Sequence, residues 1–577
     1  MRLFGVLACL LMLAGCGESW NNPYPAALSG KNILYSSFAD RPKHLDPAQS
    51  YTADEYDFIW QVYEPPLQYH YLKRPYTLIP ATAADIPRPR YFSRSGAELP
   101  ASAREIAYSV YEIHIKPGIR YQPHPAFAKD AAGRSLYLNL EPADLRGKYK
   151  LADFSHSGSR ELVAADYVHQ IKRLAHPRIH SPILGHMSDY IVGLKEFAAL
   201  LEHEEKLPQD APSARTILDR HEIAGVEVVD RYTYRIKVRG KYPQFIYWLA
   251  MPFFAPVPPE ADRFYAQPGM AERNFSLDWY PVGTGPYMLT ENNPNARMVL
   301  ARNPNFRGEA YPAEGEPEDS AAGLLADAGK MAPFIDTILF TREKESIPYW
   351  SKFMQGYYDQ SGISNDNFDN AVRVNIEGEA ALSQEMESRG IRLKTSVATS
   401  VYYLSFNWLD PVVGGQGDAA ARERARKLRQ AISIAIDNEE FISIFANGRG
   451  VPGQGPIPPG IFGFRQGDES FNPVVYEKTR GAWQRKPIAQ AKRLIAEAGY
   501  PNGRDVNTGA PLVLYLDTTG GGPGGKARLD WYRKQFQKID VQLEFRTSDW
   551  NRFQEKIRKG NTQLFFLGWN ADYPDPE

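Results

Sequence analysis

The sequence predicts an α/β fold built on a parallel sheet, and two patterns in its last third carry that prediction. Strand-like apolar runs at residues 512–517, 541–545 and 563–569 alternate with helical patterns at 527–538 and 550–559. Strand–helix–strand–helix–strand order belongs to a parallel sheet covered by its crossover helices. The run at 563–569 is also nearly continuous in apolar residues, as expected of a strand buried on both faces. Within 527–538, Leu529, Tyr532, Phe536 and the following Ile539 share one helix face. Ser548-Asp549 offers a cap for the helix at 550–559 and Gly560 a stop. Ligands of such sheets bind outside the carboxyl ends of the strands. Here that end is Trp569-Asn570-Ala571-Asp572.

Upstream, ordered structure is expected from residues 31–35 onward. Residues 85–104, rich in Pro, Arg and Ser, read as a loop. Residues 107–116 alternate as a strand, and 226–238 read as two strands around an Asp-Arg turn. Residues 200–220 are charged and read as a helical insertion. The acidic, Gly/Ala-rich stretch 312–332 reads as a surface loop, followed by an apolar strand at 335–340 that is a crossover candidate. No short internal repeat is present.

The chain has 577 residues, enough for three or four units at about 150 residues each. Apolar residues make up 43% and charged residues 23%, which excludes disorder over most of the chain. With 67 Lys+Arg against 68 Asp+Glu the net charge is −1, so no basic track for nucleic acid exists. Tyrosine is abundant at 34, a residue that suits binding surfaces as well as cores.

The amino terminus has a charged start at Met1-Arg2, an apolar run from Leu3 to Leu13, and then Leu13-Ala14-Gly15-Cys16. This is a secretory signal pattern, and its last four residues resemble the lipobox of bacterial lipoproteins. The resemblance implies a signal peptide over 1–15, lipid on Cys16, and a tether over 16–30. Cys9 would leave with the signal, so the mature chain would hold no free thiol and no disulfide. The run is too short for a membrane span of about 20 residues, and the next most apolar stretch, 245–257, is broken by Pro252 and Pro256. The expected location is the periplasm or cell envelope, with the chain anchored to a membrane by lipid.

Several catalytic patterns fail on inspection. GGGPGGKA at 520–527 contains G-x-x-x-x-G-K, but Ala527 stands where a phosphate loop needs a magnesium-binding hydroxyl. All 11 histidines lie between His44 and His221, without an H-E-x-x-H pattern. No G-x-S-x-G elbow occurs. Asp572, Asp575 and Glu577 are close in sequence, but Pro574 and Pro576 stiffen the segment, so the acids need not converge as a hydrolase pair requires. A loop acid at a strand's carboxyl end can instead pair with a ligand ammonium.

Several motifs in fixed order then resemble one family. They are His44-Leu45-Asp46-Pro47, Tyr63-Glu64-Pro65-Pro66-Leu67, RELVAADYVHQIKRL at 160–174, and PVGTGPY at 281–287. They continue with Asn303-Pro304-Asn305-Phe306, YYLSFN at 402–407, RKLRQAISIAID at 426–437, AKRLIAEAGYPNG at 491–503 and GWNADYPDP at 568–576. As an ordered set over residues 31–577 they resemble the family 5 extracellular solute-binding proteins of bacterial ABC importers, the peptide and nickel group.

That resemblance implies an α/β, two-lobed periplasmic-binding-protein-like fold with an added subdomain in lobe one. Lobe one maps to 31–334, with the subdomain near 70–215, and lobe two to 335–577. It implies a binding protein rather than an enzyme, without cofactor, working as a monomer with an ABC permease and its ATPase and closing on a short peptide. Asp572 would pair with the peptide's α-amino group. Trp569, Asn570, Tyr403 and Asn407 would line the site, with Tyr402, Phe406 and Trp408 as further aromatic candidates. The alternatives are a non-peptide solute such as a nickel chelate or an opine, a secreted hydrolase, and a lipoprotein that only mediates interactions. Two departures stand out. Tyr121-Gln122-Pro123-His124 replaces the family's F-x-D-G, and relatives continue well past the DYPDP segment. The second departure implies a lobe two incomplete at its carboxyl end, with its last strand left as a sheet edge.

Overall fold

The computed structural model describes residues 24, 26–28, 30–205, 217–374, 380–519 and 522–576. The expected signal peptide, Cys16 and most of the tether lie outside these residues, as does Glu577. Within the expected tether, Tyr24 is packed against the first unit. The Tyr24 ring lies 4.0 Å from that of Tyr35, and its hydroxyl donates to the Tyr357 carbonyl at 3.0 Å. Among the described residues no helix is long and apolar enough to cross a membrane. The chain forms two compact units, Met1–Gly362 and Ile363–Glu577.

The first unit is organised by β1 (Ile33–Phe38), α1 (Ala53–Val62), β2 (Tyr108–His114), α2 (Ala164–Leu174), β3 (Thr233–Arg239), β4 (Tyr287–Asn293), β5 (Arg297–Arg302) and β6 (Thr337–Arg342). One sheet runs β1-β6-β5-β4, with β1 parallel to β6 and the other pairs antiparallel. The strand expected to open lobe two is therefore β6, a member of the first unit's sheet. Its Ile338, Leu339 and Phe340 are buried there, and the first compact unit runs on to Gly362. A second sheet runs Glu98–Leu99, Arg90–Phe92, β2, β3, Val226–Asp230. It corrects one expectation, since the Pro/Arg/Ser-rich segment 85–104 contains a hairpin. The sheet continues to Arg239. The segment 200–220 carries the end of helix Leu194–Glu205 and the short helix Ile217–Arg220. The acidic segment 312–332 contains the short helix Pro317–Ala321 and the strand Met331–Ala332.

The motifs of this unit fold it rather than line a pocket. The carboxylate of Glu55, on the first turn of α1, accepts the N–H groups of Lys43 and His44 on one oxygen. Its other oxygen accepts the Ser50 hydroxyl and the N–H groups of Tyr51 and Thr52. Asp46 faces Arg173 of α2, whose Nη1 and Nη2 donate to its two oxygens at 2.9 and 2.6 Å. Arg173 Nε donates to Asp262 at 2.8 Å, and His169 Nε2 reaches the same oxygen at 2.7 Å. Burial pushes the Asp262 carboxyl up, but Arg173 and His169 together hold it at about 2. Arg307 Nη1 likewise donates to both oxygens of Glu64 at 2.7 and 2.8 Å. His124, in the segment that departs from the family pattern, is fully buried. Its Nδ1 accepts the Ala126 N–H at 3.1 Å and its Nε2 meets the Tyr265 hydroxyl at 2.8 Å. Burial drives its pKa down to about 3, so the ring is neutral and Nε2 carries the proton.

The second unit contains β7 (Ser400–Phe406), α3 (Ala419–Ala435), α4 (Ile488–Glu497), β8 (Val513–Thr518), α5 (Gly522–Gln537), β9 (Gln542–Thr547), α6 (Trp550–Arg558) and β10 (Leu564–Asn570). The predicted order of strands and helices is present. Asp549 caps α6 by accepting the Arg552 N–H, and Gly560 ends it at φ +67°. The sheet runs β7-β10-β8-β9, with β10, β8 and β9 parallel and β7 antiparallel to β10. Leu514, Leu516, Leu543 and Leu564 face a core filled by α3, α4 and α5. From the opposite face Phe553 of α6 is buried and Lys556 pairs with Asp517 at 2.6 Å.

Three expectations are corrected here. Helix α5 starts at Gly522, inside the glycine run and ahead of the expected start at 527, because burial of Trp531, Tyr532 and Phe536 outweighs the poor helix propensity of glycine. Strand β10 is not buried on both faces. Only Leu564 is fully covered, and Trp569 and Asn570 are exposed. Nor is β10 the outermost strand of the sheet: β7 pairs along its whole length and takes the outer position, while β8 pairs with it only at Leu564 and Phe565.

Candidate functional site

The site is built on β7 and β10. Their register pairs Ser400 with Asn570, Val401 with Trp569, Tyr402 with Gly568 and Tyr403 with Leu567. Directly opposed residues share a face, so Val401, Tyr403, Leu567 and Trp569 form one stripe. Tyr402, Leu404, Phe566 and Gly568 lie on the other, where Leu404 and Phe566 pack on the core. Gly568 leaves room there for the exposed Tyr402 ring, which a Cβ at that position would displace, lying 2.5 Å from its Cε1. The parallel pairing of β10 with β8 covers only Leu516↔Leu564 and Asp517↔Phe565. From Phe566 to Asn570, the edge of β10 away from β7 therefore carries no strand among the described residues.

The chain leaving β10 is fastened before it turns. Ser400 Oγ donates to Asn570 Oδ1 at 2.6 Å, and the Ala571 N–H donates to the Thr399 carbonyl at 2.9 Å. Tyr573 is buried, and the Asp575 N–H closes a tight turn onto its carbonyl at 2.8 Å. A cavity of about 210 Å³ opens at this point, lined by Val401, Ile457, Ile461, Trp569, Asp572 and Asp575 together with three prolines and two further residues of these segments. Apolar walls with two carboxylates suit a ligand that presents a cation on an apolar body. Among the described residues no group of three His, Cys, Asp or Glu side chains is placed to hold a metal ion.

The predicted site residues separate into two sets. Asp572 and Trp569 line the cavity, Asn570 fixes its rim, and Tyr403 lies along the same stripe, its hydroxyl pKa raised by burial. Asn407 lies at the other end of β7 and is fully occupied. Its Nδ2 donates to the Gly560 and Thr562 carbonyls at 2.9 and 2.6 Å, and its Oδ1 accepts the Leu409 N–H at 3.0 Å. It clamps a loop and does not line the cavity. Phe406 packs on the core, and Trp408 is exposed beside Asn407. Ile457 and Ile461 were not legible as site residues. They sit in a Pro/Gly-rich stretch without periodicity, and only the fold brings them to the end of β10.

Residues 154–577 match the model of the bacterial extracellular solute-binding proteins, family 5 Middle. Heme-binding protein A of Haemophilus influenzae is 22% identical over 355 residues, covering 62% of this chain and 53% of that protein. The dipeptide-binding protein of Escherichia coli K12 is 22% identical over 359 residues, covering 62% and 54%. Di/tripeptide-binding protein 2 of Pseudomonas aeruginosa is 23% identical over 416 residues, covering 69% and 65%. The matched part of this chain thus spans about half to two-thirds of the length of these relatives. Among solved structures, OppA of Burkholderia pseudomallei aligns with a TM-score of 0.60 at 16% identity, over 95% of this chain and 82% of that one. DppA of Helicobacter pylori, solved with the peptide STSA, aligns with a TM-score of 0.58 at 17% identity, over 94% and 79%. The mixed α/β architecture is that of periplasmic binding proteins. Family model and fold agree across most of the sequence, and the chain belongs to the family 5 bacterial extracellular solute-binding proteins.

Proposed function

We propose that this protein is the solute-binding component of an ABC importer and that it captures short peptides, with Asp572 pairing with the peptide's free α-ammonium. The observation that carries the reading is the cavity at the end of β10. It joins a carboxylate to apolar walls at the end of β10, a strand whose pairing with β8 covers only Leu564 and Phe565. An extended peptide adds to a strand edge through its main chain, which leaves side chains little constrained. Peptide-binding relatives point the same way. The two compact units are the two lobes of this reading, and the sheet built on β2 and β3 is the core of the added subdomain. The partners are a membrane permease and its ATPase, the protein is a monomer held at a membrane through lipid on Cys16, and it performs no catalysis. A heme-binding relative favours one second reading, a non-peptide solute with an apolar body.

Replacing Asp572 by Asn tests the assignment. A hydrogen bond to a charged group contributes about 1.5–3 kcal/mol, so Asp572→Asn is expected to weaken free-amine tripeptides roughly 10- to 100-fold in calorimetric titration. N-acetylated tripeptides lose the same factor on the unaltered protein and nothing further on the variant. Equal affinity of both proteins for the free-amine peptide contradicts the role of Asp572.

A further inference from the structure

The loop after β7 presents two large apolar side chains to solvent, Trp408 at 60% and Leu409 at 69% exposure. Neither is on a loose segment. Asn407 clamps the loop as described above, and Asp410 Oδ1 accepts the N–H groups of Val412 and Val413 at 2.8 and 2.9 Å. The Arg429 guanidinium lies 4.2 Å from the centre of the Trp408 ring, while its Nη1 donates to the Val413 and Gly414 carbonyls. The structure thus holds an indole and a leucine outward on a rigid support.

Cations surround the pair. Arg422, Arg426 and Arg429 follow at i, i+4 and i+7 on α3 and share the face that meets Trp408. Arg558 and Lys559 are exposed at the end of α6, just before Gly560, where a Cβ would lie 3.4 Å from Leu409 Cδ1. The carboxylates among them are Glu423 against Arg426, Glu555 against Lys559, Asp418 capping α3, and Asp410 next to Leu409. The five cations exceed these four carboxylates by one.

We propose that this corner of the second unit is a docking surface for an anionic lipid bilayer. Trp and Leu side chains enter the headgroup boundary while Arg and Lys stay at its charged level. Each cation near an anionic surface contributes about a fivefold gain in partitioning. A protein partner fits less well. One indole buries about 150–250 Å², and adding a leucine leaves the patch far short of the roughly 1,000 Å² of a stable interface. The patch sits at the Asn407 end of β7, about 20 Å along the strand from the cavity end. Bilayer contact there leaves the cavity open.

The test uses the chain from Gly17 onward, which retains every described residue and carries no acyl group. Co-sedimentation at low salt is compared on vesicles of phosphatidylcholine alone and of equal parts phosphatidylcholine and phosphatidylglycerol. Binding is expected on the mixed vesicles at least about tenfold above the neutral ones and falling with added salt. Leu409→Ser is expected to lower it about three- to tenfold and Arg426→Glu, which changes the charge by two, about five- to twenty-five-fold, both at exposed positions and with an unchanged thermal midpoint. Equal binding to both vesicle types, no binding to either, or variants that bind like the parent overturn the proposal. A concentration-dependent dimer that Leu409→Ser abolishes reassigns the surface to self-association and overturns it as well.

Discussion

Arg173→Met is expected to lower the stability of the first unit by about 3–5 kcal/mol, the range for stranding a buried charge by removing its partner. The Arg173 side chain is 2% exposed and that of Asp46 is 8% exposed. One guanidinium satisfies both oxygens of Asp46 and one of Asp262, and methionine replaces its volume without its donors. Denaturant unfolding at neutral pH measures the loss. The pH dependence separates charge from packing. The depressed Asp262 pKa adds stability that is fully present above the unfolded carboxylate range near 4 and is lost as pH falls towards 2. The variant lacks that contribution, so its deficit shrinks between pH 5 and 3. A deficit that stays constant over that range assigns the loss to packing alone and contradicts the ionic account.

Gly283→Ala is the second large effect. The PVGTGPY segment lies against the end of α1, where the Gly285 N–H donates to the Val62 carbonyl at 2.9 Å. A Cβ on Gly283 would lie 1.9 Å from that same oxygen and 2.7 Å from its carbon. The clash is with backbone, not with a side chain that can rotate away. The segment is also pinned from both sides. Gln122 donates to the Pro281 carbonyl and accepts the Gly283 N–H, and Asn303 Nδ2 donates to the Gly285 carbonyl. We therefore expect a loss of about 3 kcal/mol or more, the upper end of overpacking costs. Gly185→Ala is the control, since that glycine lies exposed in helix Leu184–Tyr190 with nothing within 4 Å of an added Cβ. It is expected to be neutral or stabilising by up to about 1 kcal/mol. Equal effects of the two substitutions contradict the clamp.

These two positions show what the sequence made legible and what it hid. PVGTGPY was conspicuous as a motif, yet nothing local says that its glycines receive the carbonyl of a helix more than two hundred residues earlier. Arg173 lies in a segment singled out only as a motif, and an arginine there reads as solvated until its partner is known. That partner, Asp46, is 127 residues away. Local signals did well where the physics is local. The Asp549 cap, the Gly560 stop and the order of β8, α5, β9, α6 and β10 were all readable. They failed where tertiary packing decides, as in the extension of α5 through Gly522–Gly525 and the placement of β7 against β10. The cavity was half legible. Asp572 and Trp569 follow from strand polarity, whereas Ile457 and Ile461 come from a segment without periodicity. Asn407, read as a ligand residue from its motif, turned out to spend its amide on the Gly560 and Thr562 carbonyls.

The most direct test of peptide capture is mass spectrometry of the small molecules released when the purified protein, produced from Gly17 onward, is denatured. Our account predicts short peptides with free amino termini, recovered in proportion to protein and depleted in the Asp572→Asn variant. Recovery of a porphyrin, a metal chelate or another non-peptide solute in their place contradicts it. So does an empty protein that also fails to bind a library of free-amine peptides.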